Sequence, residues 1–225
     1  MGCLSPHDDE GRLKRDLAHV LWIGGSPAAG KTTSTRLLAR RYNLRVYDFD
    51  DHEPGHVERR MADATTYPAF TSFRVLTMDQ RWLHRSVAAM ADQVIALWTE
   101  RFRLVVDDLL TLPTTSPIIV EGAGLFPDCV RPVIIDPKQA LWLIPTPAFC
   151  RKVRLERDAD AFVDTSNPAQ ALDNLIARDI LLAAHVQRRA VDLGLTVLEV
   201  DGATPLDEMV TIVERHVGAE ALFLR

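Results

Sequence analysis

The fold of this chain is decided by one stretch and the segments on either side of it. The stretch reads Gly24-Gly25-Ser26-Pro27-Ala28-Ala29-Gly30-Lys31-Thr32-Thr33. Before it, residues 19–23 read His-Val-Leu-Trp-Ile, a short apolar segment of the strand type. After it, a good helix pattern runs to about Tyr42, and Asn43 is suited to a left-handed helix terminus. The order of strand, glycine-rich loop and helix predicts an α/β unit.

The stretch fits the phosphate-binding pattern G-x-x-x-x-G-K-[ST], with Gly25, Gly30, Lys31 and Thr32 at the fixed positions. The two glycines let successive N–H groups point at phosphate oxygens, and the N-terminus of the following helix favours the same anion. In this pattern the lysine reaches the β- and γ-phosphates and the threonine hydroxyl contacts Mg²⁺. We therefore expect a nucleotide triphosphate to be bound by Gly25, Ser26, Pro27, Ala28, Ala29, Gly30, Lys31, Thr32 and Thr33.

Length and composition are those of one ordinary globular domain. Of the 225 residues, 47% are hydrophobic and 25% charged, and we expect a single domain at 18–225 behind a flexible leader at 1–17. The formal net charge of -5 disfavours broad nucleic-acid binding. No apolar run approaches the roughly 20 residues of a membrane span, and residues 1–16 lack the apolar core of a signal peptide.

The cysteines are Cys3, Cys129 and Cys150, and they form no C-x-x-C pair. Their odd number and their spacing favour reduced thiols. Because thiols stay reduced in the cytosol, we expect a cytoplasmic protein.

Five strand-type segments alternate with helical patterns along the chain. After the first, they lie at about 44–47, 117–122, 140–144 and 195–200. Such alternation is typical of a parallel, doubly wound, three-layer sheet. Residues from about 52 to 115, between strands two and three, are mainly helical and are expected to form an insertion on the substrate side. Residues from about 147 to 178, after strand four, are expected to form a lid region.

Acidic residues follow two of the strands. Strand two runs into Asp48-Phe49-Asp50-Asp51-His52-Glu53, and strand three ends in Glu121. In open α/β sheets, ligands bind at the carboxyl ends of the strands. We predict that Asp50, with Asp48 as the alternate, accepts the proton of an acceptor hydroxyl and that Glu121 joins Thr32 in holding Mg²⁺. The competing interpretations are a solvated acidic turn after strand two and a helix cap after strand three.

Basic side chains stand out in the insertion and in the lid region. In the insertion we expect mostly surface charges, with one or two side chains gripping an anionic substrate, among Arg59, Arg60, Arg74, Arg81 and Arg85. His52 and His56 are expected to be substrate contacts or surface residues. Arg154, Arg157 and the later Arg178 are candidates to neutralise charge on a transferring phosphoryl group, and a solvated face is the alternative.

Together the phosphate-binding loop, the acids after strands two and three, the arginines after strand four and the sequence Val-Asp-Gly at 200–202 resemble the P-loop small-molecule kinases. These include nucleoside monophosphate kinase-like enzymes, shikimate and gluconate kinases, and chloramphenicol phosphotransferase. The resemblance covers residues 20–217. It implies the strand order 2-3-1-4-5, the cofactors ATP and Mg²⁺, a small-molecule acceptor, and a place beside the nucleotide base for Asp201 and Gly202.

The chain departs from the better-known members of this group at three points. Glu121 stands where many have aspartate, the insertion is longer, and paired lid arginines are not recognisable. We predict transfer of the γ-phosphoryl group of ATP to a hydroxyl or phosphate of a small molecule. Simple ATP hydrolysis, a non-catalytic nucleotide-binding regulatory module and a nucleic-acid end kinase are the alternatives. The absence of an N-K-x-D sequence disfavours a GTP switch.

Overall fold

The computed structural model describes residues 3–4 and 9–218. In this part of the chain, helices pack on both faces of one five-stranded sheet. Residues 1–2 and 5–8 of the expected leader, and residues 219–225 of the expected domain, lie outside the described residues.

The strands are all parallel and follow the order β2-β3-β1-β4-β5. This confirms the predicted fold class, a doubly wound parallel sheet of order 2-3-1-4-5. The register sets Asp48 beside Glu121 at the edge where their strands end. The strand bounds are β1 Val20–Gly25, β2 Arg45–Asp48, β3 Ile118–Glu121, β4 Ala140–Pro145 and β5 Thr196–Val200.

Helices connect the strands and also fill the long stretch between β2 and β3, where a helical insertion is expected. Their bounds are α1 Glu10–Asp16, α2 Lys31–Tyr42, α3 Glu53–Ala62, α4 Pro68–Arg74, α5 Met78–Trp82, α6 Val87–Leu110, α7 Pro127–Val130, α8 Pro147–Arg157, α9 Pro168–Asp192 and α10 Leu206–Val217. The hydroxyl of Ser86 caps α6 by accepting a hydrogen bond from the N–H of Ala89 at 3.2 Å. From that cap α6 runs as one continuous helix to Leu110.

Side chains alternate along each strand, so each face of the sheet has its own core. On β1, Trp22 belongs to the first core, which is shared with α6, α7 and α9. Leu21 and Ile23 belong to the second core, which is shared with α2 and α10. These three strand residues are at most 4% exposed. The two cores hold the sheet between helices and leave its carboxyl edge for ligands.

Part of the expected leader is structured. The carboxylate of Asp9 caps α1 by accepting a hydrogen bond from the N–H of Arg12 at 3.2 Å. Leu13 and Leu17 are buried against the first core. The prediction of a flexible leader is therefore wrong for residues 9–17, because two leucines one helical turn apart bury apolar surface there.

Cys3 and Cys129 form a disulfide bond that joins the amino-terminal segment to α7, whereas Cys150 is a free, buried thiol. The prediction of reduced thiols is wrong for this pair, because chain spacing does not reveal partners 126 residues apart. Disulfides are rare in the cytosol. The cysteines therefore give no support to the cytoplasmic location predicted above.

The longest helices, α6 and α9, have 24 and 25 residues. Within residues 3–4 and 9–218, neither they nor the other helices are both long and apolar enough to cross a bilayer. Each of the two instead turns one apolar stripe toward the core.

Replacing Trp142 by phenylalanine tests how the loop after β3 is held. The indole Nε1 of this buried side chain donates to the carbonyl of Leu125 at 2.8 Å. Trp142→Phe leaves that carbonyl without its donor, so we expect it to lower the free energy of unfolding by about 1–3 kcal/mol more than a matched control. The control is Trp22→Phe, because the equally buried Trp22 Nε1 has no hydrogen-bond partner among the described residues. Urea unfolding measures both losses, and equal losses would contradict the expectation.

Candidate active site

The glycine-rich loop between β1 and α2 adopts backbone angles that its glycines permit. Gly25 has a φ of +136°, and a Cβ atom at this position would lie 2.0 Å from the carbonyl oxygen of Leu143 on β4. Gly30 has a φ of +73° and precedes the first residue of α2. The loop therefore packs directly against the neighbouring strand, and the N–H of Ser26 donates to the carbonyl of Leu143 at 3.3 Å.

The Lys31 side chain folds back over this loop. Its ammonium group donates to the carbonyl of Ser26 at 2.7 Å, and the residue is 7% exposed. Burial lowers the pKa of Lys31, while Glu121 and Asp50 oppose the shift by favouring the charged form. The hydroxyl of Ser26 donates to the carbonyl of Asp179 at 3.2 Å, which ties the loop to α9.

Glu121 ends β3 beside the loop and is 2% exposed. Burial raises its pKa to about 7, and the neighbouring Asp48 adds to the rise, whereas a hydrogen bond with Thr32 and the charge of Lys31 oppose it. Its Oε1 atom is buried and has no hydrogen-bond partner in the described part of the chain. A carboxylate oxygen without a partner next to a threonine hydroxyl suits Mg²⁺, which prefers oxygen ligands.

The two candidate bases after β2 have different surroundings. The carboxylate of Asp48 accepts hydrogen bonds from the N–H groups of Asp50 at 2.9 Å and Asp51 at 3.4 Å, so it caps its own turn. Asp50 stays open to solvent, but the surrounding protein removes part of the water around its carboxyl group and raises its pKa. Lys31 opposes this rise. The geometry thus leaves Asp50 free to contact a ligand.

Asp179 of α9 is fully buried and holds two of the predicted arginines. Its Oδ2 accepts from Nε of Arg154 at 2.7 Å, and its Oδ1 accepts from Nη2 of Arg178 at 2.7 Å. Arg154 also donates to the carboxylate of Asp158 at 2.8 Å, and the exposed Arg157 lies 3.3 Å from the carboxylate of Asp158. The structure therefore brings the three predicted arginines to one side of the loop.

Two cavities open at the carboxyl edge of the sheet and share Asp50, Trp98 and Arg178 as lining residues. The first, which we call the loop cavity, has a volume of about 490 Å³ and is also lined by residues 27–33, Glu121, Gly122, Ala123, Phe149, Val153, Arg154 and Arg157. The second, which we call the insertion cavity, has a volume of about 570 Å³ and is also lined by Glu53, Arg60, Phe70, Phe73, Arg74, Arg81, Val94, Leu97 and Arg101.

Asp201 and Gly202, expected beside a nucleotide base, lie one layer behind the loop cavity. The carboxylate of Asp201 accepts a hydrogen bond from the N–H of Ala203 at 2.8 Å and closes the turn after β5. Gly202 has a φ of +83°, and a Cβ atom there would lie 2.5 Å from the ring of Phe149. Phe149 lines the loop cavity, so this turn supports the wall rather than forming it.

Two of the basic side chains in the insertion do not have the surface position expected of them. Arg60 is 2% exposed, donates to Glu53 at 2.5 Å and lies over the ring of Phe70. His56 is also 2% exposed, so it is neither a surface residue nor a wall of either cavity. The opposite charge of Glu53 and the face of Phe70 make the buried guanidinium of Arg60 tolerable.

Sequence reasoning misses two further buried charges, Arg101 and Asp179. Arg101 falls on the apolar stripe of α6 between Leu97 and Val105, and Asp179 falls on the stripe of α9 between Leu175 and Leu182. A charged residue at a core-facing helical position is seldom buried without a partner. A charged residue on the apolar stripe of a helix is therefore the sequence signal by which both residues can be found.

No protein-family model matches the chain, and no curated protein matches it in sequence. Similar solved structures include a shikimate kinase from Acinetobacter baumannii in complex with shikimate, with 15% identity, a TM-score of 0.46, and coverage of 94% of this chain and 99% of that one. An uncharacterised protein from Eubacterium ventriosum has 12% identity, a TM-score of 0.41 and coverage of 89% and 98%. Shikimate kinase from Aquifex aeolicus has 16% identity, a TM-score of 0.36 and coverage of 90% and 98%.

The raised pKa of Glu121 predicts a pH-dependent stability difference. In metal-free protein, folded Glu121 keeps its proton up to about pH 7, whereas the unfolded residue loses it near its ordinary value of 4.5. Stability is therefore lost as the pH rises through this window. We expect Glu121→Gln to be more stable than the wild type at pH 8, by up to about 3 kcal/mol, and to lose most of this advantage at pH 5.

Urea unfolding in the presence of EDTA measures this difference at both pH values. An equal difference at pH 5 and pH 8 would show that the carboxyl group is not held in its protonated form. Adding Mg²⁺ at pH 8 provides a control, because we expect it to stabilise the wild type and to leave Glu121→Gln almost unchanged.

Proposed function

We propose that this chain is a phosphotransferase that moves the γ-phosphoryl group of ATP to a hydroxyl group of a small molecule. The observation that carries the proposal is the meeting of the loop cavity and the insertion cavity at Asp50, Trp98 and Arg178. The carboxylate of Asp50 at this junction would face a nucleotide bound in the loop cavity and an acceptor bound in the insertion cavity. Such a reaction depends mainly on positioning and electrostatics.

On the donor side, the backbone N–H groups of the loop and the ammonium group of Lys31 would bind the phosphates of ATP. Arg154, Arg157 and Arg178 line the same cavity and would offset charge on the transferring group. Because Asp179 holds both Arg154 and Arg178, these two guanidinium groups would need little rearrangement when the nucleotide binds.

Thr32 and Glu121 are the residues that fit Mg²⁺. The buried Oε1 of Glu121 without a partner and the adjacent threonine hydroxyl support this assignment. When bound, Mg²⁺ would neutralise charge on the β- and γ-phosphate oxygens.

On the acceptor side, Asp50 would orient the hydroxyl group and accept its proton. Its raised pKa makes it a stronger base than an ordinary aspartate, and it lines both cavities. Asp48 is less suited to this role, because its carboxylate already accepts two backbone hydrogen bonds.

The charges in the insertion cavity also support a class of acceptor. Glu53 forms ion pairs with both Arg60 and Arg101, so these two cations are already engaged. Arg74 and Arg81, in contrast, form no ion pair with any described residue. An anion would therefore be attracted to the side of the cavity that Arg74 and Arg81 line.

Arg81 is the better placed of these two cations. Its Nε atom is buried without a hydrogen-bond partner in the described part of the chain, and its guanidinium group lies 4.6 Å from the ring centre of Phe73. Phe70, Phe73 and Trp98 add apolar surface to the same cavity. We therefore propose an acceptor with an apolar body, a hydroxyl group for Asp50 and an anionic group for Arg81.

ATP consumption with Mg²⁺ across a panel of hydroxylated small molecules, rich in carboxylates and phosphates, tests the function. We expect one acceptor class to stimulate turnover, Lys31→Ala to abolish it, and Asp50→Asn to lower kcat by about 10²–10⁴ through loss of the base. Asp51→Asn is the matched control, because Asp51 follows Asp50 but lines neither cavity.

Other outcomes would favour the alternative functions of this chain. Slow turnover that no acceptor stimulates would favour a hydrolase, and ATP binding without turnover would favour a regulatory module. Salt-sensitive stimulation by oligonucleotides would favour a nucleic-acid end kinase. Full activity of Asp50→Asn would remove the base from the mechanism.

Arg81→Gln tests the anionic end of the acceptor. Loss of a charged hydrogen bond typically costs about 1.5–3 kcal/mol, so we expect the KM for the acceptor to rise by about tenfold to a hundredfold while the KM for ATP stays the same. Arg85→Gln is the control, because Arg85 donates to the carbonyl of Ala89 at 3.0 Å and does not line the insertion cavity. Steady-state kinetics decide the matter, and equal acceptor KM values for both variants would refute the assignment.

A further inference from the structure

We propose that His56 of α3 is a positioning residue for Asp50 and that it acts through Arg101. The inference rests on the proposed function, because it concerns the carboxylate that would accept the hydroxyl proton. His56 is 2% exposed and lines neither cavity, so any effect on the site must pass through its neighbours.

The contacts of His56 fix its tautomer. Its Nδ1 lies 2.8 Å from Nε of Arg101. A guanidinium group can only donate, so Nδ1 must accept, and the ring proton of the neutral imidazole sits on Nε2. Nε2 in turn lies 2.8 Å from Oδ2 of Asp108, to which it donates.

Further groups hold Asp108 in place. The hydroxyl of Tyr47 donates to Oδ2 of Asp108 at 2.7 Å, and Arg59 donates to its Oδ1 at 2.6 Å. The carboxylate therefore has a fixed orientation toward the imidazole. This arrangement presents the lone pair of Nδ1 to Arg101.

Arg101 is anchored on three sides. Its Nε donates to His56, its Nη1 pairs with Glu53, and its Nη2 donates to the carbonyl of Phe49. Its guanidinium group also lies 3.7 Å from the ring centre of Phe49. The carbonyl of Phe49 belongs to the peptide group that leads into Asp50, so Arg101 is one of the groups that hold this turn, together with the Asp48 carboxylate that accepts from the N–H of Asp50.

The charged and titratable groups around His56 favour its neutral form. Arg101 and Asp108 face it from α6, Arg59 from its own helix, Tyr47 from β2, and the ring of His52 lies 6.4 Å away. Burial and the two arginines lower the pKa of His56, while Asp108 opposes them. At neutral pH the imidazole therefore keeps the lone pair that Arg101 requires.

Two substitutions separate the roles of the ring nitrogens. His56→Asn places an amide oxygen near the position of Nδ1 and loses the group that faces Asp108. His56→Gln places an amide N–H near the position of Nε2 and loses the acceptor for Arg101. An Arg101 without its acceptor can shift, and a displacement of about 1 Å near a reacting group can cost about a hundredfold in rate.

We expect His56→Gln to lower kcat for acceptor-dependent ATP turnover by about tenfold to a hundredfold, with the KM for ATP unchanged. We expect His56→Asn to keep kcat close to that of the wild type. The thermal unfolding midpoint of each variant shows whether the fold is retained. Equal losses in both variants, no loss in either, or the opposite order would overturn the inference.

A readout that does not depend on catalysis keeps the two proposals apart. In ¹⁵N-labelled wild-type protein we expect a scalar coupling between Nε of Arg101 and Nδ1 of His56 across their hydrogen bond. Absence of this coupling overturns the inference even if the enzyme is active.

If no acceptor stimulates turnover, the proposed function fails, and the backbone N–H signal of Asp50 then tests the inference. We expect that signal to move in His56→Gln and to stay in His56→Asn, and an unmoved signal in both would overturn the inference.

Discussion

The buried ammonium group of Lys31 is the constraint on which the rest of the site depends. It lies 2.7 Å from the carbonyl of Ser26, so the loop that carries the lysine also holds its charged end. This hydrogen bond requires the loop to turn sharply, and the contact of Gly25 with Leu143 shows how little space the turn has. A buried cation also needs nearby anions. Asp50 supplies one, and Glu121 supplies a second once it has lost its proton. Burial raises the pKa of both carboxyl groups, and the charge of Lys31 opposes that rise.

At two other places in the site, one carboxylate is shared by two buried guanidinium groups. Asp179 is shared by Arg154 and Arg178, and Glu53 is shared by Arg60 and Arg101. Asp158 also pairs with Arg154, and the arginines of both groups line a cavity. Buried ion pairs contribute little net stability, but they fix the directions of their members. The guanidinium groups that line the cavities are thus oriented before any anion binds.

The sequence predicts the sheet and the loop well because both depend on local patterns. Apolar segments that alternate with helices predict the parallel, doubly wound sheet, whereas the observed strand order is expected only from the resemblance to P-loop kinases. The prediction of a flexible leader is wrong at residues 9–17, because Leu13 packs on residues distant in sequence, and the prediction of reduced thiols is wrong for Cys3 and Cys129, which pair across 126 positions. The acids after β2 show a finer limit. The sequence pattern alone does not reveal that the carboxylate of Asp48 accepts a hydrogen bond within its own turn, whereas the carboxylate of Asp50 remains available to a ligand.

Arg101 and Asp179 show a different limit, because each breaks the apolar stripe of a helix and each organises part of the site. On α6, Trp98, Arg101 and Asp108 follow the spacing of residues that share one side of a helix. Trp98 lines both cavities, Arg101 holds the turn before Asp50, and Asp108 orients the imidazole that orients Arg101. One rigid element therefore carries a wall of the insertion cavity together with the residues that fix the candidate base.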